Sequence, residues 1–374
     1  MPLSWRLGAF YFAFFVYAGL MVAYFPPYLA ARGLGAAEIA LVLALPQLVR
    51  VFAPAAWGWI ADRSGALRAI VVLSCAANAA CFVLLPHAQG VAAMAWLVGA
   101  TSLASAAALP LVEAITLGAL AGQPGRYGPI RLWGSVGFIA AVLGGGAWLD
   151  FHAVETLPAA LVGFSVAALI VALALPASSA PASARGSSVP LAPAAAALLA
   201  AAFCMALGHG ALYAFLTLHL QRAGYSGSLI GVLWTLGVLA EIGVFLFLPK
   251  LFRRATLASI LIVSCALGVA RYLAIAWAVE WLALIVVAQL LHAATFGSFH
   301  AAALAAVHRV FPPQAHARGQ TLFSSLGYGA GGAAGALLAG WAWEASGPGL
   351  AFSLCAIAAL AGLLFAYPLK RAGL

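Results

Sequence analysis

Apolar runs of about 20 residues, separated by short Gly, Pro and charged stretches, recur along the whole chain and predict membrane-spanning helices. Twelve such runs lie near residues 8–30, 38–60, 69–86, 91–120, 131–149, 157–175, 194–220, 228–248, 257–278, 282–307, 320–343 and 350–368. One segment breaks the pattern. Residues 177–192, ASSAPASARGSSVPLA, are too poor in large apolar side chains to build a core and read as a flexible linker. The linker leaves six runs on each side. The expectation is an all-α membrane protein of twelve transmembrane helices in two six-helix halves: residues 1–176 an N-terminal bundle, 177–192 a cytoplasmic linker, 193–374 a C-terminal bundle. A weak internal repeat agrees with this division. A shift of 191 carries Gly33-Leu34-Gly35 onto Gly224-Tyr225-Ser226, Arg50 onto Glu241 and Arg63 onto Arg254. Parallel six-helix repeats are one plan on which transporters build a site between rocking halves.

Composition narrows the class. Of 374 residues, 66% are apolar and 7% charged, with a mean hydropathy of +1.10, far from the quarter or so of charged residues in soluble domains. Soluble enzymes, nucleic-acid partners and disulfide scaffolds are thereby set aside; the lipid bilayer is the implied partner. The balance of 17 Lys+Arg against 8 Asp+Glu reads as a topology signal. If the N-terminus is cytoplasmic, 13 of the 17 basic residues fall on that side, whereas the other side carries Arg32 and Arg222 with Glu38, Asp150, Glu155, Glu280 and Glu344. Both termini are therefore expected inside. The five cysteines lie in apolar runs with no CxxC or Cys/His pattern, so no metal is expected. Gly327-Tyr328-Gly329-Ala330-Gly331-Gly332 matches GxGxxG, but inside an apolar run rather than after a strand, so nucleotide binding is rejected and no cofactor is expected.

The most specific local motif is Gly58-Trp59-Ile60-Ala61-Asp62-Arg63-Ser64-Gly65-Ala66-Leu67-Arg68, of the form GxxxDRxGxxR, placed in a short cytoplasmic loop between runs 2 and 3. Gly58 suits close helix approach, Asp62 can face a helix N-terminus and nearby Arg, and Gly65 permits a tight turn. This stretch resembles the loop signature of the major facilitator superfamily, whose members have twelve spans in two halves. The resemblance implies a conformational gate made by Gly58, Asp62, Arg63, Gly65 and Arg68, with Arg131 of the next cytoplasmic loop. The second half keeps only Pro249-Lys250-Leu251-Phe252-Arg253-Arg254 at the equivalent place, without the acid. Four further stretches are similar to a narrower group, the phenylpropionate-permease-like facilitators: Tyr127-Gly128-Pro129-Ile130-Arg131-Leu132-Trp133-Gly134-Ser135-Val136-Gly137, Leu233-Trp234-Thr235-Leu236-Gly237-Val238-Leu239-Ala240-Glu241, Lys250-Leu251-Phe252-Arg253-Arg254, and the pairs Leu291-His292 and Phe299-His300. That likeness implies proton-coupled import of an aromatic or other small organic acid; separately, a monomer in a bacterial inner membrane is expected. Neighbouring groups carry nucleosides or oligosaccharides.

Arg50, Glu113, Glu241 and Arg271 lie inside apolar runs, where an ionised side chain costs about 2.5–3.5 kcal/mol on insertion scales and so needs a partner or a wet cavity. One reading pairs Arg50 with Glu113 and Arg271 with Glu241 as structural ion pairs, and it is preferred for Arg271. The other makes Glu241 and Glu113 proton carriers whose affinity changes with the cavity around them. His209, His292 and His300 form a second set, able to titrate or to donate to a substrate carboxylate. Gln289, His292 and Phe296 share one helix face. Tyr17, Tyr24 and Tyr28 make a stripe that reads either as a platform for an aromatic substrate or as an interfacial belt. Gly137 and Gly145 in run 5, and Gly327, Gly331 and Gly335 in run 11, form small faces that suit the interface between the halves. The expected activity is secondary active transport of a small-molecule substrate, with protons, and not catalysis. Nucleoside or sugar symport, drug-type efflux and an integral-membrane acyl transferase are the alternatives.

Overall fold

A computed structural model of the chain describes residues 2–120, 123–177 and 192–374. Most of the linker 177–192 lies outside the described residues. Among those described there is no strand, and twelve helices are long and apolar enough to cross a bilayer: α1 Leu3–Ala31, α2 Ala36–Ser64, α3 Leu67–His87, α4 Gly90–Ala119, α5 Tyr127–Leu149, α6 Val154–Leu173, α7 Pro193–Arg222, α8 Gly227–Arg254, α9 Leu257–Trp277, α10 Leu282–Val310, α11 Pro313–Ser346 and α12 Pro348–Lys370. Several outrun their apolar stretch. At 1.5 Å per residue, the 29 residues of α2 exceed the roughly 30 Å hydrocarbon layer, so its end projects beyond it. Gly58 to Ser64, expected in a loop, are therefore the last turns of α2, and Pro249 to Arg254 the last turns of α8.

Close packing groups the chain into two compact units. The first takes Met1–Leu34, Phe52–Ala184 and Ser226–Gly231, and the second Gly35–Val51, Arg185–Tyr225 and Val232–Leu374. In the first, α1 lies along α5 and α6, and α3 along α4 and α6. Its core joins Leu7, Phe10 and Tyr11 to Val71, Val112, Ile115 and Ala172. In the second, α7 packs on α11 and α12, and α9 on α10 and α12, around Leu198, Leu261, Cys265, Phe299 and Ala303. Large apolar side chains elsewhere face outward, among them Leu73, Ile170, Leu246 and Leu364, with Trp96, Trp277 and Trp281. Such exposure is ordinary for a surface solvated by lipid.

The repeat is visible in backbone geometry. Gly33 and Gly224 end α1 and α7 with φ of +84° and +85°. In each, the glycine N–H bonds three residues back (to Ala30 and to Gln221) and the next N–H bonds five back, Leu34 to Leu29 at 3.2 Å and Tyr225 to Leu220 at 3.1 Å. Both are Schellman caps, which need the left-handed conformation that glycine adopts without steric cost.

The glycine faces correct one expectation. A Cβ on Gly137 would strike the Phe12 carbonyl of α1, and one on Gly145 would strike Tyr24; on Gly331 and Gly335 it would strike the Phe203 and Leu207 carbonyls of α7. These residues bring α5 onto α1 and α11 onto α7, inside each unit, and were expected between the halves. Without a hydrophobic drive in lipid, helices associate by such backbone approach. Gly327 meets Ala202 only at ordinary contact distance.

Candidate functional site

The second unit gathers most of the buried polar side chains predicted from sequence. His209 from α7, Arg271 from α9, and Gln289 and His292 from α10 are all nearly or wholly inaccessible. The His209 and His292 rings lie 5.7 Å apart. His292 faces the Glu241 carboxylate of α8, Nε2 to Oε2 3.9 Å. It also stacks on Phe296 at 5.2 Å, and Phe296 stacks on His300 at 6.0 Å, forming one column along α10. The His300 ring nitrogen Nδ1 shares a 2.7 Å hydrogen bond with the Tyr328 hydroxyl of α11. Arg50 of α2 is exposed. Two π-helical turns, Ala293–Ser298 in α10 and Phe323–Gly331 in α11, run beside this column. Such widened turns free backbone groups and recur at functional positions.

Arg271 does not make the ion pair expected of it. Its Nη1 donates to Thr295 Oγ1 at 2.8 Å, while Nε and Nη2 have no partner. The Arg271–Glu241 ion pair does not form. Thr295, Tyr213, Tyr272 and Tyr328 were not singled out as site residues from sequence, because isolated Thr and Tyr in apolar runs look like packing residues until their neighbours are known.

The first unit holds a second pair. Glu113 of α4 meets Arg131 of α5 at 3.5 Å, and Tyr127 donates to the same carboxylate at 3.5 Å. Arg131 also lies over the rings of Tyr11 and Phe15, at 5.4 and 4.4 Å. It is thus a partner of Glu113 rather than of the gate loop, and Glu113 does not pair with Arg50 as expected. Tyr17 faces Phe14 and Phe82 beside a small cavity that includes Asn78 and Ser165. Tyr24 is buried and donates to the Val142 carbonyl, so it fixes α1 on α5. Of the gate motif, Gly65 makes the expected turn at φ +63°, Arg63 covers Trp59 at 5.2 Å, and Arg68 reaches the Leu175 carbonyl at 3.4 Å. Gly58 faces open space rather than a close helix. Asp62 is exposed and makes no hydrogen bond or ion pair among the described residues.

Two carboxylates counted only as topology markers turn out to cap helices. Asp150, just past α5, accepts from the backbone N–H groups of Gly227 at 2.6 Å and Ser228 at 2.9 Å at the start of α8. Glu344 of α11 accepts from the Ala37 N–H of α2 at 2.9 Å. A carboxylate at a helix N-terminus satisfies orphan donors and opposes the dipole. The Ser228 hydroxyl first, then the backbone N–H groups, hold the Asp150 carboxyl below the usual aspartate range. Because its folded value is depressed, the stabilisation is complete above pH 3.8 and is lost as the pH falls below it. Asp150→Ala should therefore lower the thermal unfolding midpoint by about 2 °C near neutrality. The gap from wild type should narrow in scans below pH 3.8; an unchanged midpoint at neutral pH would contradict the cap.

Comparison with known proteins agrees with the architecture. The model of the MFS_1 like family matches residues 4–354. A probable 3-phenylpropionic acid transporter of Escherichia coli (strain K12) is 30% identical over 262 residues, covering 67% of each chain. A maltose permease of Geobacillus stearothermophilus is 36% identical over 149 residues, 38% of this chain and 36% of that one. Among solved structures, a point mutant of the nucleoside transporter NupG superposes with a TM-score of 0.87 at 17% identity, covering 99% of both chains; this likeness concerns the fold. With a family match over nearly its whole length and twelve membrane-length helices, this chain belongs to the MFS_1 like family of major facilitator transporters.

Proposed function

We propose that the protein imports a small organic acid of the arylalkanoate type, driven by protons, through alternating access of the halves 1–176 and 193–374. The observation that carries this reading is the Glu241–His292 pair at 3.9 Å, set in a buried aromatic and histidine column of the second unit. A carboxylate and an imidazole facing each other can exchange a proton, and each state changes the field felt by a bound anion. The relative in Escherichia coli, whose name gives 3-phenylpropionic acid as substrate, supports the aromatic acid. The protein is a monomer of a bacterial inner membrane with both termini cytoplasmic, where the basic loops stabilise that orientation. Glu113 and Arg131 serve as a second polar pair, and Asp62 with Arg63 biases which side opens.

Proteoliposomes loaded with radiolabelled solutes test the substrate class. The expected order is 3-phenylpropionate well above maltose and uridine. Uptake of maltose alone would favour the sugar reading that the Geobacillus permease suggests.

A further inference from the structure

A guanidinium stays protonated at every physiological pH, so burying one without an anion leaves a large desolvation cost uncompensated. Arg271 is in that position. It is wholly inaccessible, and no carboxylate lies within ion-pairing distance among the described residues. Its only hydrogen bond uses Nη1, to Thr295. The two unpartnered nitrogens are Nε and Nη2. These share one edge of the planar group, with parallel N–H bonds, which is the edge that grips both oxygens of a carboxylate.

Aromatic side chains also lie beside the residue that holds Arg271. Thr295, the residue holding Arg271, also lines a cavity with His209, Phe296, Phe323 and Tyr328. Its vacant space is about 10 Å³, room for roughly one water. Three of these residues present aromatic rings, and Phe296 lies within the π-helical turn Ala293–Ser298. His292 Nδ1 and Gln289 Nε2 of α10 also lack partners. His209 Nδ1 lies 2.9 Å from the Met205 carbonyl and so donates to it, leaving Nε2 as an open acceptor.

We propose that the Nε–Nη2 edge of Arg271 is the seat of the carboxylate of the transported acid, with the aryl group entering the slot beside Phe296 and Tyr328 as α10 and α11 part. This rests on the arylalkanoate reading above and adds the residue that selects an acid over a neutral analogue. Thr295 is a positioning residue, which holds the guanidinium through Nη1 and leaves the Nε–Nη2 edge unengaged.

Purified full-length protein in detergent is measured against 3-phenylpropionate and 3-phenylpropanamide, by binding and by thermal unfolding. Wild type is expected to bind the acid at least tenfold more tightly than the amide. Two charge-assisted hydrogen bonds are lost in Arg271→Gln, which should weaken acid binding by about 100-fold. Arg271→Lys keeps the charge without the paired edge, and should weaken it by about tenfold. Without ligand, Arg271→Gln is expected to unfold at the same temperature as wild type or higher, because it removes an uncompensated charge; a structural arginine would lower that temperature instead. Acid binding by Arg271→Gln within threefold of wild type would overturn the proposal while leaving the transport reading intact. If Arg271→Gln fails to fold, the acid-over-amide ratio of wild type decides, and a ratio near one overturns the proposal. If wild type moves none of benzoate, phenylacetate and 3-phenylpropionate in proteoliposomes, the transport reading falls, and this proposal with it.

Discussion

Glu241→Gln is expected to abolish uphill accumulation of substrate while leaving exchange at equal concentrations on the two sides close to wild type. The amide mimics the protonated carboxyl, so the carrier can still change conformation but cannot release and reload a proton. Glu241 qualifies on position as well as on chemistry. It faces His292 at 3.9 Å and its side chain is only 20% exposed. A purely structural carboxylate behaves differently. Removing one member of a buried charge pair costs about 3–5 kcal/mol, so poor expression and early unfolding would follow, with exchange and uphill uptake falling together. Measuring both transport modes and the unfolding midpoint on one preparation separates the cases. A stable Glu241→Gln protein that still concentrates substrate would remove Glu241 from the coupling path.

Gly335→Leu should be the most damaging substitution for the fold. Any Cβ there overlaps the Leu207 carbonyl of α7, a backbone atom that cannot swing aside, so α11 would have to move off α7. Overpacking typically costs about 1–3 kcal/mol, and more where backbone must shift. Gly137→Leu, against the Phe12 carbonyl, should act in the same way on α5 and α1. Gly144→Leu is the control, since nothing lies within 4 Å of its Cβ position. Size-exclusion profiles of the three variants should show loss of the folded peak for the first two and a wild-type profile for the third. A normal profile for Gly335→Leu would contradict the close approach of α7 and α11.

The helices were legible because hydrocarbon imposes a length and a composition that survive in the sequence; the 191-residue shift aligned Gly33 with Gly224, but the caps they make came only from backbone geometry. Helix ends were less so, since nothing in the pattern of Gly58 to Ser64 stops a helix that has already left the apolar layer. Intramembrane polar residues stood out as candidates, but their partners did not. Glu113 pairs with Arg131 and Arg271 with Thr295, because partners are chosen by which helix faces meet, and hydropathy along the chain is silent on that. The capping roles of Asp150 and Glu344 were missed for a related reason. A loop carboxylate looks like a topology marker until a helix N-terminus from a distant segment is found within hydrogen-bond reach.

The central claim is that substrate and proton cross together, and a pH electrode tests it directly. De-energised, lightly buffered proteoliposomes are given 3-phenylpropionate, with protein-free liposomes as the reference for passive entry of the neutral acid. The account predicts alkalinisation of the medium in excess of that reference with wild type, and no excess with Glu241→Gln. Protein-dependent uptake of 3-phenylpropionate without any excess alkalinisation would contradict it.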